Sequence, residues 1–265
     1  MFKLPAKAIM GIINATPDSF FAGSRQANLE GAIQKACNFI QQGATIIDIG
    51  GQSTRPGAIL VSETEELDRV MPVIEGVLNA FPSAIISVDT FRSEVAKQSL
   101  LLGAKIVNDI SCGSFEPTIL EVVANQKAGY IGMHITGNIG TMHQVIPRTN
   151  IMESIISYFN VKKQKFDALG IHDWIIDPGF GFGKTVQENF TIVKELKQFK
   201  VLGLPILLGV SRKSSIYKTL GISSDEALNG TTVVNTVGLL NGADIIRVHD
   251  VKEAKEIIDL LPYLS

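Results

Sequence analysis

Residues 177–185 read DPGFGFGKT, which nearly matches a phosphate-binding P-loop. Gly183, Lys184 and Thr185 fit the end of that motif, but Pro178 stands where its first glycine belongs. Proline has no N–H group and a fixed φ angle, so this loop cannot surround a phosphate with the usual row of amide donors. The segment therefore predicts a different use for its glycines and its lysine.

A flat ligand is the use that these residue types favour. Glycines allow the backbone to approach a ring closely, and Phe182 offers an aromatic face. A buried carboxylate at Asp177 can accept two hydrogen bonds from an amidine-like edge, as in a guanine or pterin ring. A tight turn capped by the aspartate is the alternative interpretation.

Other polar residues also follow short apolar runs. With Asp177 they are Asn14, Asp89, Asn108, His134, Ser211, Arg247 and His249. Any one of them could be a helix cap or a turn former, since Asn, Asp and Ser suit such positions. Eight such positions along one chain indicate instead a set of side chains that share one face of a fold.

The apolar runs predict the elements that position these side chains. They cover residues 8–14, 45–50, 84–90, 105–109, 130–134, 174–177, 205–211 and 244–249, and they are rich in Ile and Val. Such runs are typical of strands buried on both faces, and amphipathic stretches such as 63–81 and 150–170 separate them. We therefore expect an α/β protein, a single (β/α)8 TIM barrel domain over residues 1–265. An open doubly wound sheet is the alternative, but no GxGxxG follows the first strand.

Composition excludes several function classes. The formal net charge of −2 gives no field that would attract nucleic acid or an anionic membrane, and the apolar run 8–13 is too short to cross a bilayer. Cys37 and Cys112 have neither metal-ligand nor disulfide-framework spacing, so we expect reduced thiols and a cytoplasmic protein. No His/Cys cluster has the spacing of zinc ligands, so we expect no zinc site.

Eight short strings in order make the chain similar to a known family. MGIINATPDSF, GGQSTRPGA, SVDT, NDI, MH, DPGFGFGK, SRKS and RVHD span about 240 residues, and each ends a predicted strand. Together they resemble the dihydropteroate synthases of the pterin-binding barrel family. That resemblance implies condensation of 6-hydroxymethyl-7,8-dihydropterin pyrophosphate with p-aminobenzoate, release of pyrophosphate, assistance by Mg²⁺, and a homodimer. In such enzymes pyrophosphate is thought to leave first, and the aniline nitrogen then captures a pterin cation.

The resemblance also implies residue roles. For the pterin they fall to Asp89, Asn108, Met133, Asp177, Gly181, Phe182, Lys213 and Arg247. For p-aminobenzoate they fall to Phe20, Thr54, Arg55, Pro56 and Ser211, and for pyrophosphate to Asn14, Arg55, Arg247 and His249. Asn14 would also be the metal ligand, and Lys213, Arg247, Asp177 and Asn14 would carry the catalysis.

The chain departs from the family pattern in two loops. Loop one commonly reads DSFSDGG, and here Phe21 and Ala22 replace the serine and an aspartate thought to stabilise the cation. Loop two commonly reads GGESTRP, and Gln52 replaces its glutamate, which removes a charge but keeps hydrogen-bonding capacity. A pterin-binding barrel without synthase activity, either silent or like the corrinoid-linked methyltransferases, is therefore the alternative function.

Overall fold

Eight parallel strands and the helices between them form a barrel in the computed structural model, which describes residues 4–15 and 25–264, without the side chains of residues 25–28. The strands are β1 Ala8–Asn14, β2 Ile46–Gly50, β3 Ile85–Asp89, β4 Ile106–Asp109, β5 Gly129–Met133, β6 Trp174–Asp177, β7 Leu207–Leu208 and β8 Ile245–Val248. The helices are α1 Arg25–Gln41, α2 Glu63–Ala80, α3 Ser93–Leu102, α4 Ile119–Gln126, α5 Ile151–Ala168, α6 Val186–Lys194, α7 Ser214–Leu220, α8 Leu228–Leu240 and α9 Val251–Leu260. Short 3₁₀ helices cover Leu196–Leu202 and Leu261–Tyr263. Among these helices, none is long and apolar enough to cross a membrane.

The hydrogen-bonded strand order confirms the predicted barrel. It runs β6-β5-β4-β3-β2-β1-β8-β7, so β1 pairs with both β2 and β8. The cylinder closes between β6 and β7, where Ile176 forms a parallel bridge with Ile206 and donates a 3.0 Å hydrogen bond to Pro205 O. We refer to this junction as the β6–β7 seam.

The core has two layers separated by the sheet. Inside the barrel lie Ala8, Met10, Ile46, Ile106, Ile131, Ile175, Leu207 and Ile245. A larger apolar layer, which includes Phe159, Phe166 and Trp174, fills the space between the strands and the helices. Burial of both strand faces explains why the strands read as near-continuous apolar runs.

On several strands, an inward-facing apolar residue is followed two positions later by an inward-facing polar residue. Because side chains alternate across a strand, Asp48 lies one step above Ile46 on the same face. The same step takes Ile106 to Asn108, Ile175 to Asp177 and Ile245 to Arg247. This alternation places charged and amide groups at the carboxyl mouth of the barrel, where the βα loops begin.

Candidate active site

One guanidinium joins two carboxylates at the mouth of the barrel. Arg247 donates from Nε to Asp48 Oδ2 at 2.7 Å and from Nη2 to Asp89 Oδ2 at 2.6 Å. The same Asp48 oxygen accepts a 3.0 Å hydrogen bond from Asn108 Nδ2. The structure thus brings together three of the predicted pterin residues, Asp89, Asn108 and Arg247, around a fully buried aspartate that the motifs did not single out.

These groups differ in how firmly they hold their charge. Burial raises the pKa of Asp89 to about 7; the positive charge of Arg247 opposes that rise, and Asp48 adds to it. Burial also works against the charge of Arg247, but Asp48 and Asp89 hold its pKa above its usual range. The guanidinium is therefore a fixed cation, whereas Asp89 titrates near neutral pH.

Asp177 and Lys213 lie on opposite sides of the β6–β7 seam, and the charge of each affects the pKa of the other. Asp177 Oδ1 accepts a 2.7 Å hydrogen bond from the amide of Gly179, and burial raises the pKa of this carboxyl against the pull of Lys213. Lys213 donates to Phe180 O at 2.5 Å, and its ammonium lies 4.7 Å from the centre of the Phe182 ring. Burial lowers the pKa of Lys213 to about 8, with Asp177 opposing the change. This pair supplies an acceptor and a donor beside one aromatic face.

The lysine of the P-loop-like segment binds backbone, not phosphate. Lys184 is buried, and its Nζ donates to Gly179 O at 2.7 Å and to Phe182 O at 3.1 Å. Desolvation lowers its pKa to about 7. Gly179 has φ +72°, and a Cβ there would lie 2.2 Å from His134 O. This glycine and this lysine therefore fix the loop after β6, which carries Phe182.

The predicted ring-binding wall is apolar and closely packed. Met133 and Phe182 belong to a buried cluster with Phe91, Ile110, Ile135 and Met142 at the carboxyl mouth of the barrel. Gly181 has φ +85°, and a Cβ there would meet the Lys213 side chain at 3.0 Å. The glycine therefore makes room for the alkyl chain of Lys213, a role beyond the approach to a ring expected from the sequence.

Ser211 and His249 form a second polar group beside Arg247. Ser211 Oγ lies 3.0 Å from His249 Nδ1 and accepts from the His249 amide at 3.2 Å. Burial, followed by the charge of Arg247, lowers the pKa of His249 to about 3. His249 is thus a neutral imidazole at physiological pH, so it would bind an anion through a hydrogen bond and not through charge.

The predicted p-aminobenzoate residues of loop two lie at the surface. Thr54 is half-buried, whereas Arg55 and Pro56 are exposed. His143 Nε2 donates to Thr54 O at 2.9 Å, and its ring stacks on Phe182 with centroids 5.3 Å apart and planes at 22°. His143 therefore connects loop two with the ring wall.

Two residues at this site were missed from the sequence. Asp48 could have been found from the strand alternation, since it stands two residues after the inward-facing Ile46. Nothing in the sequence singled out His143. His134 follows β5, and its amide donates to Asp177 O at 2.8 Å. Its ring Nδ1 has no hydrogen-bond partner among the described residues, and the ring packs edgewise on Tyr158.

Part of the predicted site lies at or beyond the edge of the description. Asn14 is the last residue of β1, at the carboxyl mouth of the barrel and half-buried. Phe20 and the two loop-one departures, Phe21 and Ala22, lie outside the described residues. Within residues 4–15 and 25–264, no three His, Cys, Asp or Glu side chains gather as metal ligands.

Comparison with known proteins places these motifs in one family. Residues 10–249 match the family model described as pterin binding enzyme. A dihydropteroate synthase from Synechocystis sp. is 44% identical over 252 residues, which cover 94% of this chain and 87% of the relative.

Solved structures share the fold. The crystal structure of a dihydropteroate synthase from Clostridium difficile in the presence of pteroic acid has a TM-score of 0.91 and 39% identity, covering 98% of this chain and 97% of that one. A dihydropteroate synthase from Xanthomonas albilineans with 4-aminobenzoic acid has a TM-score of 0.91 and 32% identity, covering 97% and 93%.

Proposed function

The chain belongs to the pterin-binding enzyme family, and from this premise we infer that it catalyses the dihydropteroate synthase reaction of folate biosynthesis. The substrates are 6-hydroxymethyl-7,8-dihydropterin pyrophosphate and p-aminobenzoate, and the products are 7,8-dihydropteroate and pyrophosphate. The observation that carries this inference is that acceptors, donors and a fixed cation stand together at one barrel mouth. They are Asp89, Asn108, Asp177, Lys213 and Arg247.

We propose that the pterin lies between the two charged groups of the mouth. Asp177 would accept from the 2-amino and N3 edge of the ring, and Lys213 would donate to the ring's acceptors. Met133 and Phe182 would pack against the ring, with Asp89 and Asn108 lining the rest of the pocket. This arrangement is supported by the burial of Met133 and Phe182 and by the short distance from Lys213 to the Phe182 ring.

The pyrophosphate would lie beside Arg247. Nε and Nη2 of Arg247 already bind carboxylates, and Nη1 makes no hydrogen bond to the described residues, so it remains for a phosphate oxygen. His249, Arg55 and Asn14 would add donors. Together these groups would stabilise the charge that develops on the leaving pyrophosphate as its C–O bond breaks.

Mg²⁺ assistance fits the donors that are present. Magnesium usually keeps several waters and binds through one or two protein oxygens plus substrate phosphates. The amide oxygen of Asn14 at the mouth would be one such ligand, and the phosphate oxygens of the substrate would supply others. Bound there, the ion would neutralise charge on the leaving group.

The p-aminobenzoate would enter beside loop two. Thr54, Arg55 and Pro56 lie on that loop, and Ser211 follows β7 at the same mouth, while the proposed contact at Phe20 falls outside the described residues. Its amine would attack the pterin carbon that pyrophosphate leaves. Arg55 can pair with its carboxylate, since a guanidinium matches carboxylate geometry.

We also propose a cytoplasmic homodimer of one domain. The support for the dimer is the outer face of α8, where Val233, Val237 and Leu240 follow helical spacing and are 55%, 40% and 45% exposed. Neighbouring Leu220 on α7 is 55% exposed. An exposed apolar stripe of this kind is typical of a protein interface.

The decisive experiment is incubation of the protein with the pterin pyrophosphate, p-aminobenzoate and Mg²⁺, followed by detection of dihydropteroate. Lys213→Met, which keeps the alkyl length but removes the donor, is the matched negative control. Product from the unaltered chain and at least tenfold less from the variant is the expected result. A folded protein that binds the pterin but forms no product would make it a silent pterin binder instead.

A further inference from the structure

Gln52 holds together the loop that follows β2. This is loop two of the sequence analysis, and we define it as the β2–α2 loop, residues 51–62. Gln52 is 9% exposed, and both polar atoms of its side chain make hydrogen bonds to the backbone of this loop. Nε2 donates to Ser53 O at 2.8 Å and to Ile59 O at 3.1 Å, while Oε1 accepts from the Val61 amide at 2.8 Å. One side chain therefore connects the start of the loop with its end.

Two arginines hold the same loop from outside. Arg69 on α2 donates to Gly51 O at 2.8 Å. Arg92, just before α3, donates to Val61 O and forms a buried ion pair with Glu66. The two ends of the loop are thus tied to the helical layer, and Gln52 joins them to each other below the exposed middle, which carries Arg55 and Pro56.

The amide is essential to this geometry. A glutamate at position 52 could accept from the Val61 amide, but its second oxygen would stand against the carbonyl oxygens of Ser53 and Ile59. Two carbonyls can only accept, so an ionised carboxylate would replace two hydrogen bonds with repulsion. The amide therefore gives the loop a set of hydrogen bonds that a glutamate at this position could not make in the same loop conformation.

We propose that Gln52 is a positioning residue that holds the shape of the β2–α2 loop, which carries the residues proposed to bind p-aminobenzoate. The identity of that ligand rests on the proposed function. The fastening itself rests on the three hydrogen bonds of Gln52 and on the placement of Thr54, Arg55 and Pro56 between its two ends.

The test compares Gln52→Glu and Gln52→Leu with the unaltered chain. Gln34→Glu is the matched control, since Gln34 is exposed on α1 and receives the same chemical change. At pH 8 we expect Gln52→Glu to raise the KM for p-aminobenzoate about tenfold and to change the KM for the pterin pyrophosphate less than twofold. Gln34→Glu should change neither constant.

The pH dependence distinguishes positioning from general damage. A carboxyl that faces two carbonyl oxygens has a pKa above its ordinary value of about 4.3, and once protonated it can donate to one of them. The defect of Gln52→Glu should therefore shrink as pH falls from 8 towards 5, whereas that of Gln52→Leu should stay constant. Equal increases in both KM values, or a pH response no different from that of Gln34→Glu, would overturn the proposal.

Hydrogen exchange of the substrate-free protein gives a readout independent of catalysis. The Val61 amide should exchange at least tenfold faster in Gln52→Leu than in Gln34→Glu, because the leucine offers it no acceptor. Unchanged exchange would overturn the proposal even if the protein proves to be a synthase. If the unaltered chain forms no dihydropteroate, the proposed function fails and the exchange result still decides whether Gln52 holds the loop.

Discussion

Arg247 gathers partners that are distant in sequence. The two carboxylates that it binds lie 199 and 158 residues away, on β2 and β3. Each of these three side chains would be costly to bury alone, and removing one partner of a buried pair usually costs more than the pair contributes. The site is therefore held as a unit, and two of its three members, Asp89 and Arg247, are also proposed to bind the substrate.

Asp177→Asn tests the ring-edge assignment. An amide presents only one acceptor oxygen, and its NH₂ group would face the donors of the ring. We expect pterin affinity, measured by calorimetry, to fall at least tenfold, as losing a charge-assisted hydrogen bond costs about 1.5–3 kcal/mol. Asp259→Asn, an exposed change on α9, is the control. Unchanged affinity in a folded Asp177→Asn protein would remove Asp177 from the ring edge.

Asp89 should make the stability of the protein depend on pH. Its folded pKa of about 7 lies above the ordinary 3.8, so the unfolded chain releases this proton first as pH rises. The contribution is fully present below about pH 3.8 and is lost as pH rises towards 7.

Asp89→Asn removes that contribution. Between pH 5 and pH 6 the unfolding free energy of the unaltered chain should therefore fall by up to roughly 1.4 kcal/mol relative to the variant. Denaturant unfolding at both pH values measures the difference. Parallel stability curves would show that Asp89 is ionised throughout this range in the folded protein.

The residues that sequence reasoning found and missed differ in a physical way. Asp177, Lys213 and Arg247 lie in short sequence strings whose resemblance to a known family can be recognised before the fold is known. Asp48 acquires its role only when alternation along β2 turns it towards the guanidinium of a strand far along the chain. His143 depends on a loop conformation that brings it to Thr54 and Phe182, and no local pattern encodes that contact.

At the scale of elements, the loop after β6 is fixed by steric exclusion. Gly179 and Gly170 both have positive φ, +72° and +75°, but only at Gly179 would a Cβ strike another atom, the carbonyl oxygen of His134. Gly170→Ala carries the backbone strain alone, about 1 kcal/mol. Gly179→Ala should cost roughly 3 kcal/mol or more, because the clash adds to the same strain.

Denaturant unfolding of both alanine variants tests this difference, and pterin affinity gives a second readout. We expect Gly179→Ala to weaken pterin binding as well, because the loop that carries Phe182 must move. Equal destabilisation by the two variants would mean that the loop can shift away from the His134 carbonyl without cost.

The strands were predicted to within one or two residues, with one exception. The run 205–211 predicts a long seventh strand, whereas β7 covers only Leu207–Leu208. Pro205 has no N–H to offer a neighbouring strand, and Ile206 makes only an isolated bridge. Apolar composition indicates burial, but pairing between strands needs backbone N–H donors in register. Pro205 supplies no such donor at the start of this run.

At the scale of the whole molecule, the exposed stripe of α8 leads to a prediction about assembly. Val237→Lys places a charge in the middle of the stripe, where burial against a second copy would be costly. Sedimentation of the unaltered chain should give a dimer, and the variant should sediment as a monomer at the same concentration. Val161→Lys, on the exposed face of α5, is the control and should remain dimeric. A monomeric unaltered chain would contradict the proposed dimer.

The β6–β7 seam also separates the three aspartates of the barrel mouth from Lys213 and Arg247. Asp48, Asp89 and Asp177 belong to the stretch of chain before the seam, and Lys213 and Arg247 to the stretch after it. Backbone pairing across the seam is sparse, and the charges of Asp177 and Lys213 attract each other across it. A pterin bound by both residues would connect the two strands that the backbone joins least. The bound substrate would then stabilise the barrel itself, and the substrate-bound enzyme would be more rigid than the free enzyme.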